Sequence, residues 1–283
     1  MSEQNNCVVS IRDLVLGVKD DESTQNEFRF KIEYGSFDIN ADDFVLIKGR
    51  NGSGKSTFLR LFHLQGANYF EFLNGGAYFY GEGCPNTSIQ NYSIDEKSHL
   101  NRVVSFIEQE DRFLSSDSAY SYIYNLCKIA LNDNKSLSLS QKREKLREVD
   151  SVIFEYYEKY LAKSFQCKSY KTFKNKNVRA WSGGQKKMIN VLAGIIKAKI
   201  CSLKLLIMDE PLNNLDGRNK DILNKLIGEL RNAGVAILAI THCQIFDGVN
   251  KVLNITEDSD GVHRATLINQ CEPAHSECLE CYN

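Results

Sequence analysis

The sequence predicts an α/β protein with a largely parallel sheet, and three observations lead to this prediction. Short apolar runs of the buried-strand type occur at 44–47, 205–208 and 235–240. The first of these runs leads through a glycine-rich loop into a stretch that can begin a helix. Residues 186–245 alternate between helical and strand patterns, as a parallel sheet with crossover connections requires.

The first third of the chain contains mainly strand patterns. Residues 7–48 carry them on either side of an acidic insertion, and residues 49–65 predict a loop followed by a helix. Two strand-like segments at 69–72 and 77–80 bracket Asn74-Gly75-Gly76, which predicts a turn between them.

The remaining elements follow from composition and periodicity. The polar stretch 85–101 predicts a loop, and 115–180 has apolar residues at helical spacing with little strand pattern. Residues 251–255 and 263–268 predict a hairpin that closes the fold. No internal repeat is evident, so the pattern indicates one unit rather than two.

The most specific motif is Gly49-Arg50-Asn51-Gly52-Ser53-Gly54-Lys55-Ser56, followed by Thr57. It matches the phosphate-binding loop G-x-x-x-x-G-K-[ST] and has the required strand before it and helix after it. The glycines let backbone N–H groups turn toward phosphate oxygens. Lys55 supplies a charge to the outer phosphates, and Ser56 offers a hydroxyl to Mg²⁺. The alternative is a glycine-rich turn that happens to precede Lys-Ser.

A second motif, Ser182-Gly183-Gly184-Gln185, comes just before an apolar helical pattern. Ser182 and Gln185 have the spacing of a capping box, which is the purely structural interpretation. That interpretation does not explain Gly183 and Gly184, which weaken a first helical turn. The functional interpretation is a second helix start that approaches phosphate closely.

Two carboxylates follow the apolar run 205–208. Asp209 can hold Mg²⁺ through water, and Glu210 can accept the proton of an attacking water. The alternative is an exposed acidic turn at the end of a strand.

Together these motifs resemble those of the ATP-binding cassette (ABC) ATPases. Ser182 to Gln185 is similar to the family signature, with Trp181 where leucine is commonest. Asp216, at the end of 212–216, matches the aspartate of the family's D-loop. Gln109 matches the glutamine of the Q-loop, and His242 matches the switch histidine. The motif order and spacing agree with the family from about residue 7 to about residue 268.

The resemblance implies a P-loop NTPase core with an antiparallel β subdomain and an inserted α-helical subdomain at about 115–180. It implies a single ABC ATPase domain over residues 1–268, followed by a Cys-rich tail at 269–283. The family stacks adenine on an aromatic residue before the phosphate loop. Leu14-Val15-Leu16-Gly17-Val18-Lys19 contains none, which leaves Tyr34, Phe28 and Phe30 as alternatives.

The resemblance also implies a complete site for ATP and Mg²⁺. Glu210, His242 and Gln109 would be the catalytic residues, and Ser56, Gln109 and Asp209 would bind the metal. The nucleotide would contact Gly49, Asn51, Gly52, Ser53, Gly54, Lys55, Ser56 and Thr57 in one chain, and Ser182, Gly183, Gly184, Gln185 and Asp216 across a dimer interface. The expected partners are a second ABC ATPase subunit, identical or different, and an integral-membrane transporter subunit.

Composition restricts the location and the partners. The formal net charge is -1, which offers no electrostatic argument for nucleic acid as the main partner. The sequence has no run of 18 apolar residues and begins with a polar stretch. Its nine cysteines lie mostly in apolar runs, which fits reduced thiols. The expected location is the cytoplasm, at the inner face of a membrane.

Two functional classes remain open. A transport engine is favoured by the segment 109–114, which in transporters helps to form the groove for the membrane partner. A soluble ABC ATPase acting on nucleic acid, ribosomes or a protein complex is favoured by six basic residues between Lys163 and Arg179, interleaved with aromatic ones. The alternative interpretation of that basic stretch is a solvated loop.

The C-terminal tail offers a further pair of alternatives. Cys271, His275, Cys278 and Cys281 could furnish four zinc ligands, or they belong to a free tail.

Overall fold

The computed structural model describes residues 6–19, 28–63, 69–109, 113–114, 116–134, 136–167, 169–213, 215–241 and 246–270. Nine strands occur within these ranges. They are β1 (Cys7–Lys19), β2 (Phe28–Asn40), β3 (Phe44–Gly49), β4 (Phe70–Phe79), β5 (Val104–Ile107), β6 (Leu205–Asp209), β7 (Ala236–Ile240), β8 (Lys251–Glu257) and β9 (His263–Asn269).

The helices of the described residues supply the crossovers and one inserted group. They are α1 (Lys55–Arg60), α2 (Ile94–Val103), α3 (Ala119–Asp133), α4 (Leu139–Tyr156), α5 (Tyr170–Asn175), α6 (Gly183–Ile200) and α7 (Gly217–Asn232). A π-helical turn, Tyr157–Leu161, continues α4, and 3₁₀ turns occur at Ile89–Asn91 and Val178–Ala180. None of the helices in the described ranges is long and apolar enough to cross a lipid bilayer.

All nine strands form one sheet in the order β4-β1-β2-β9-β8-β3-β7-β6-β5. The strands β8, β3, β7, β6 and β5 pair in parallel, whereas β1 pairs antiparallel with both β2 and β4. The predicted alternation of helix and strand over 186–245 is confirmed by α6, β6, α7 and β7. The predicted closing hairpin is confirmed by the antiparallel pairing of β8 with β9.

The central strand β3 is buried on both faces. Phe44 and Leu46 belong to a core cluster with residues of α3, α4, α6 and α7, while Val45 and Ile47 belong to a second cluster with β1, β2 and α1. Because side chains alternate across a strand, a continuous apolar run is what a strand between two layers needs. The loop after β3 is therefore anchored to a rigid strand.

The predicted turn at 74–76 is wrong, because β4 runs without interruption through it. Gly75 has φ +65°, and a Cβ on it would lie 2.1 Å from the Arg12 carbonyl oxygen. The pairing of β1 with β4 shifts register between Arg12 and Val15. The glycine therefore marks a bulge where the two backbones approach closely, which is the other common meaning of glycine in a strand pattern.

The predicted loop at 85–101 is wrong in its second half, since α2 begins at Ile94 and runs through the rest of it. Ser93 accepts a hydrogen bond from the N–H of Glu96, and the Glu96 carboxylate accepts one from the N–H of Ser93. This capping box begins a polar helix, so low hydrophobicity concealed a start signal that the sequence contains. The exposed Ile94 follows the cap directly.

The group formed by α3, α4 and α5 lies between β5 and α6 in sequence and packs on α6. Val149, Ile153 and Phe173 are buried at its centre. Lys159 and Tyr160 both donate to the Glu229 carboxylate of α7 at 2.6 Å.

The division of the chain into residues 1–268 and a tail stays a prediction, because residues 271–283 lie outside the described ranges.

Candidate functional site at the carboxyl edge of the sheet

Four neighbouring parallel strands end at one edge of the sheet and bring candidate residues to it. β3 ends at Gly49, β7 at Ile240, β6 at Asp209 and β5 at Ile107. Ile47 pairs with Ile240, which pairs in turn with Asp209. Adjacent strands lie about 4.8 Å apart, so the phosphate loop and the carboxylates are separated by roughly 10 Å. Open α/β sheets bind their ligands at this edge.

The phosphate-binding loop has the backbone that its glycines permit. Gly52 and Gly54 have φ of +83° and +94°, a region that other residues adopt only with strain. A Cβ on Gly54 would also lie 2.2 Å from the Ile32 side chain. The two glycines are therefore required by the course of the loop. Gly49 and Gly54 flank it, and the exposed Asn51 lies at its tip.

The side chains of this loop fit a phosphate group. The Lys55 ammonium donates to the carbonyl oxygens of Gly49 and Arg50 at 2.8 and 2.9 Å, which holds it inside the loop. Ser53 is buried, and its hydroxyl has no hydrogen-bond partner among the described residues. A buried hydroxyl without a partner costs free energy, and a phosphate oxygen would satisfy it. Ser56 and Thr57 occupy the first turn of α1.

Asp209 and Glu210 lie at the end of β6. The Glu210 N–H donates to the Ile240 carbonyl at 3.1 Å, and its φ is +49°. A left-handed backbone at a non-glycine residue is uncommon and costs about 1–3 kcal/mol, so it often marks a functional position. Glu210 is buried and Asp209 is half-buried, which excludes the exposed acidic turn considered above.

Gln109 follows β5, and its side chain is exposed. Its backbone is held from an unexpected direction, because the buried Lys187 of α6 donates to the carbonyls of Glu108 and Gln109. His242, the other residue predicted to sense the phosphate, lies outside the described residues; Thr241 just before it is described. The tail residues Cys271, His275, Cys278 and Cys281 also lie outside them.

The segment Ser182 to Gln185 begins α6 with a capping box. Ser182 Oγ accepts from the Gln185 N–H at 3.3 Å, and Gln185 Oε1 accepts from the Ser182 N–H at 3.1 Å. The structural interpretation therefore holds for these two residues. Gly183 is exposed, and a Cβ on it would meet no described atom within 4 Å. Packing among the described residues gives no reason for glycine at this position.

Asp216 is the N-cap of α7, and its carboxylate accepts from the Asn219 N–H at 2.8 Å. Its side chain is exposed, and Asn219 behind it contacts Ser164 in the helical group. Asp216 thus has a complete local role, in addition to the interface role that the resemblance implies.

Of the three aromatic alternatives for adenine, the structure favours Phe30. Tyr34 is 1% exposed and packs on Phe58 at 5.1 Å, and its burial raises the pKa of the phenol. Phe28 lies over Gly17 of β1. Phe30 is half-buried and lies 3.4 Å from the position of a Cβ on Gly54, beside the phosphate loop.

The oxygen atoms of Ser56, Asp209 and Gln109 suit a hard cation. Within the described ranges no three His, Cys, Asp or Glu side chains form a group that could hold a metal ion. Mg²⁺ needs no such group, because it usually binds one or two carboxylates together with substrate phosphates and water. The residues present at this edge therefore fit Mg²⁺ bound with a nucleotide.

Two lysines of the basic stretch between Lys163 and Arg179 have structural partners among the described residues. Lys174 forms an ion pair with Asp150 at 2.7 Å, and the Lys176 ammonium lies 3.7 Å from the Trp181 ring centre. Phe165 and Phe173 are buried and pack with Trp181. These aromatic rings are therefore not available to stack on nucleic-acid bases.

Comparison with known proteins identifies the family. The ABC transporter family model matches residues 32–213, well over half of the chain. The chain belongs to the ABC transporter family. It is accordingly an ABC ATPase, and the predicted fold class is confirmed.

Individual members of the ABC transporter family resemble the chain over different extents. An ABC transporter ATP-binding protein of Caldanaerobacter subterraneus is 28% identical over 207 residues, which are 73% of this chain and 72% of that protein. One from Bifidobacterium longum is 26% identical over 85% of this chain. The chain spans only 30% of the length of that relative.

Solved ABC structures share the fold. An ATP-binding cassette solved as a dimer in a post-hydrolysis state, bound to ADP and Pi, has 19% identity and a TM-score of 0.60, covering 92% of this chain and 98% of that chain. CbiO1 from Clostridium perfringens, part of the ABC transporter complex cbiONQ, has 20% identity and a TM-score of 0.59, covering 93% and 89%. At these identities the likeness concerns the fold.

Two residues of the site were not found by sequence reasoning. Lys187 supports the backbone of Gln109, and His263 packs on Phe30. The only sequence signal for Lys187 is a lysine on the edge of an apolar helical run. For His263 there is none, because its neighbour comes from a strand over 200 residues earlier.

Proposed function

We propose that this chain binds and hydrolyses ATP as one of two cassettes that dock head to tail, and that it powers a transporter whose membrane subunit is a separate chain. The observation that carries the proposal is that the phosphate loop, the two carboxylates Asp209 and Glu210, and Gln109 lie at the ends of three strands, β3, β6 and β5, at one edge of the sheet. The family and its ADP-bound solved members support it.

The phosphate loop binds the substrate. The Ser53 hydroxyl gains the partner that it lacks within the described residues, and Lys55 exchanges its bonds to two carbonyls for bonds to outer phosphate oxygens. Bound Mg²⁺ supplies positive charge that offsets the charge developing on the transferred phosphoryl group. Ser56, Asp209 and Gln109 are the residues that would hold it.

Glu210 acts as the general base. Its burial in a left-handed turn fixes the carboxylate at the carboxyl edge, so that it can orient a water molecule and accept its proton. Gln109 and His242 would contact the outer phosphate and report its presence.

The exposed helix start at Ser182 serves the opposite subunit. Ser182, Gly183 and Gly184 would close over the nucleotide held by the partner's phosphate loop, with Gln185 capping the helix and Asp216 at the same interface. The open space beside Gly183 supports this assignment, since a closely approaching phosphate gives the glycine the purpose that internal packing does not. Hydrolysis then removes the shared ligand and weakens the dimer.

Transport is favoured over a soluble role on two observations. Leu114, shortly after Gln109, is 69% exposed, as an apolar anchor for a partner would be. Two lysines of the basic stretch are already occupied by Asp150 and Trp181, and its buried aromatic rings cannot stack on bases. The corresponding location is the cytoplasm, peripheral at the inner face of a membrane.

The experiment that tests this function uses Glu210→Gln with MgATP. The variant should bind ATP, hydrolyse it at least a hundredfold more slowly and accumulate as a dimer on size-exclusion chromatography. Mixing with the genetically neighbouring cassette, if one exists, covers a heterodimer. A variant that turns over ATP normally would contradict the role of Glu210, and ATP-bound protein that stays monomeric with either partner would contradict the shared site.

A further inference from the structure

The helix α6 and the strand β5 are joined at both ends of the strand by lysine side chains. Lys197 donates to the carbonyl of Val104, the first residue of β5, at 2.9 Å. Lys187 donates to the carbonyls of Glu108 and Gln109, just beyond its last residue, at 2.8 and 3.1 Å. The two lysines therefore bracket the strand that leads to Gln109.

Between the two lysines the helix and the strand are in close contact. Ser105 Oγ donates to the Gly194 carbonyl at 2.9 Å, and a Cβ on Gly194 would lie 2.5 Å from Ile107 Cγ1. Any larger residue at 194 would push the helix away from β5. The strand and the helix are thus in direct contact between the two lysines.

Lys187 is 3% exposed, which is rare for a lysine. A buried ammonium must be satisfied by specific acceptors, and hydrogen bonds to a charged donor are stronger than those between neutral groups. Here two of its acceptors are consecutive carbonyls of the loop backbone. The bonds fix the peptide from which the exposed Gln109 side chain extends, while leaving that side chain able to reach a ligand.

The same helix begins with the segment that we assign to the dimer interface. Lys187 lies five residues after Ser182, about 7.5 Å along the helix axis. One turn further on, Asn190 accepts from Tyr122 of α3, whose ring contacts Phe113 at 4.6 Å. The loop around Gln109 is therefore held to α6 and α3 on both sides of its undescribed part, which comprises residues 110–112.

We propose that Lys187 is a positioning residue for the ATPase reaction: it fixes the backbone of Gln109 to the helix that begins at Ser182, so that Gln109 is aligned for the metal only when that helix is in place. This inference rests on the proposed function, because it assigns Gln109 to the metal. In this role Lys187 acts through the backbone of Gln109 and not on the nucleotide or the metal directly.

The test compares Lys187→Met with Lys186→Met, which removes a neighbouring lysine that is only half-buried. Hydrogen exchange of a peptide covering 104–109 measures directly how firmly Lys187 holds the loop backbone. A Mg²⁺ titration of ATP hydrolysis measures the alignment of Gln109. Lys187→Met should raise the exchange rate of the peptide at least fivefold. It should also lower kcat about tenfold and raise the Mg²⁺ concentration for half-maximal rate. Lys186→Met should change none of these, and Lys187→Arg should recover part of the loss.

A double-mutant cycle with Gln109→Ala decides whether Lys187 acts through Gln109. In the Gln109→Ala background, Lys187→Met should lower kcat less than twofold. The same tenfold loss in both backgrounds would overturn the proposal, as would unchanged exchange in Lys187→Met. If Gln109→Ala hydrolyses ATP normally, the assignment of Gln109 fails together with the positioning role of Lys187. Faster exchange in Lys187→Met would still establish that Lys187 holds the loop backbone. If Lys187→Met does not fold, Lys187→Gln, which retains an amide donor, takes its place in every comparison.

Discussion

The ring of Phe30 lies 4.4 Å, centroid to centroid, from the imidazole of His263. The two residues come from β2 and β9, which pair in parallel, with His263 opposite Ile32. His263 is 9% exposed and supports one side of the Phe30 ring, next to Gly54 of the phosphate loop. A supported aromatic ring beside the phosphate loop is suited to stack on a nucleobase.

Phe30→Ala should therefore raise the KM for ATP with little change in kcat. Loss of one base–aromatic stack costs about 1–3 kcal/mol, which corresponds to roughly 5- to 150-fold in KM. Phe28→Ala is the matched control, because that ring lies over Gly17, whereas the side chains nearest to Gly54 are those of Ile32 and Phe30. Steady-state kinetics check both, and an equal KM in the two variants would place the base elsewhere.

Gly183→Ala should separate the structural role of the signature segment from its functional one. A Cβ at this position has open space, and alanine stabilises a helix by up to about 1 kcal/mol relative to glycine. We expect an unchanged or higher melting temperature together with at least a tenfold loss of ATP hydrolysis. Calorimetry and a phosphate-release assay check the two effects.

Gly194→Ala is the matched control for that variant. Its Cβ would collide with Ile107, so it should lower the melting temperature. Normal hydrolysis in Gly183→Ala would show that the segment Ser182 to Gln185 serves only as a helix cap.

Lys55→Ala should abolish ATP hydrolysis and weaken ATP binding by about 1.5–3 kcal/mol, the range for losing a hydrogen bond to a charged group. The ammonium also holds the carbonyls of Gly49 and Arg50, so the loop itself should become less ordered. Titration calorimetry with MgATP measures the change in the free energy of ATP binding. Turnover close to that of the parent protein would remove the phosphate-loop assignment.

Leu114→Ala and Phe113→Ala should differ in their effect on stability, although the two residues are neighbours. The ring of the half-buried Phe113 packs on Tyr122 at 4.6 Å, so its removal should lower stability by roughly 0.5–3 kcal/mol. Leu114 is largely exposed, so its removal should leave stability and basal hydrolysis unchanged. Co-purification from detergent extracts measures capture of a multi-span membrane protein.

Capture by the parent protein and its loss in Leu114→Ala would support transport. Capture of ribosomes or nucleic acid by the parent, sensitive to Lys171 and not to Leu114, would instead indicate the soluble class.

Ser93→Ala should destabilise the protein by about 1 kcal/mol, because it removes the capping box of α2. Ile94→Ala is the control, since Ile94 is 82% exposed and alanine favours a helix. Thermal unfolding should show a decrease of about 2–4 °C for the first variant and none for the second. Equal melting temperatures would contradict the cap.

The sequence predicts those features of the fold and the site that are formed by residues close together in the chain. The phosphate loop, the carboxylates at the end of β6 and the capping box at Ser182 are each formed by residues adjacent in sequence, so the spacing of those residues is enough to predict them. The same holds for Ser93 and Glu96, whose cap starts α2 although the polar composition around it is typical of a loop. Gly75 is different, since a turn and a bulge need the same residue, and only the pairing of β1 with β4 distinguishes them.

The sequence by itself determined the family and the α/β architecture, and it supplied the residues that we propose for phosphate and metal, because runs of adjacent residues encode each of them. Only the tertiary structure decided what supports those residues. Lys187 meets Gln109 across 78 positions, and His263 meets Phe30 from the opposite end of the chain. Such contacts arise from the order of strands in the sheet, and loop closure over these distances leaves no periodic trace in the sequence.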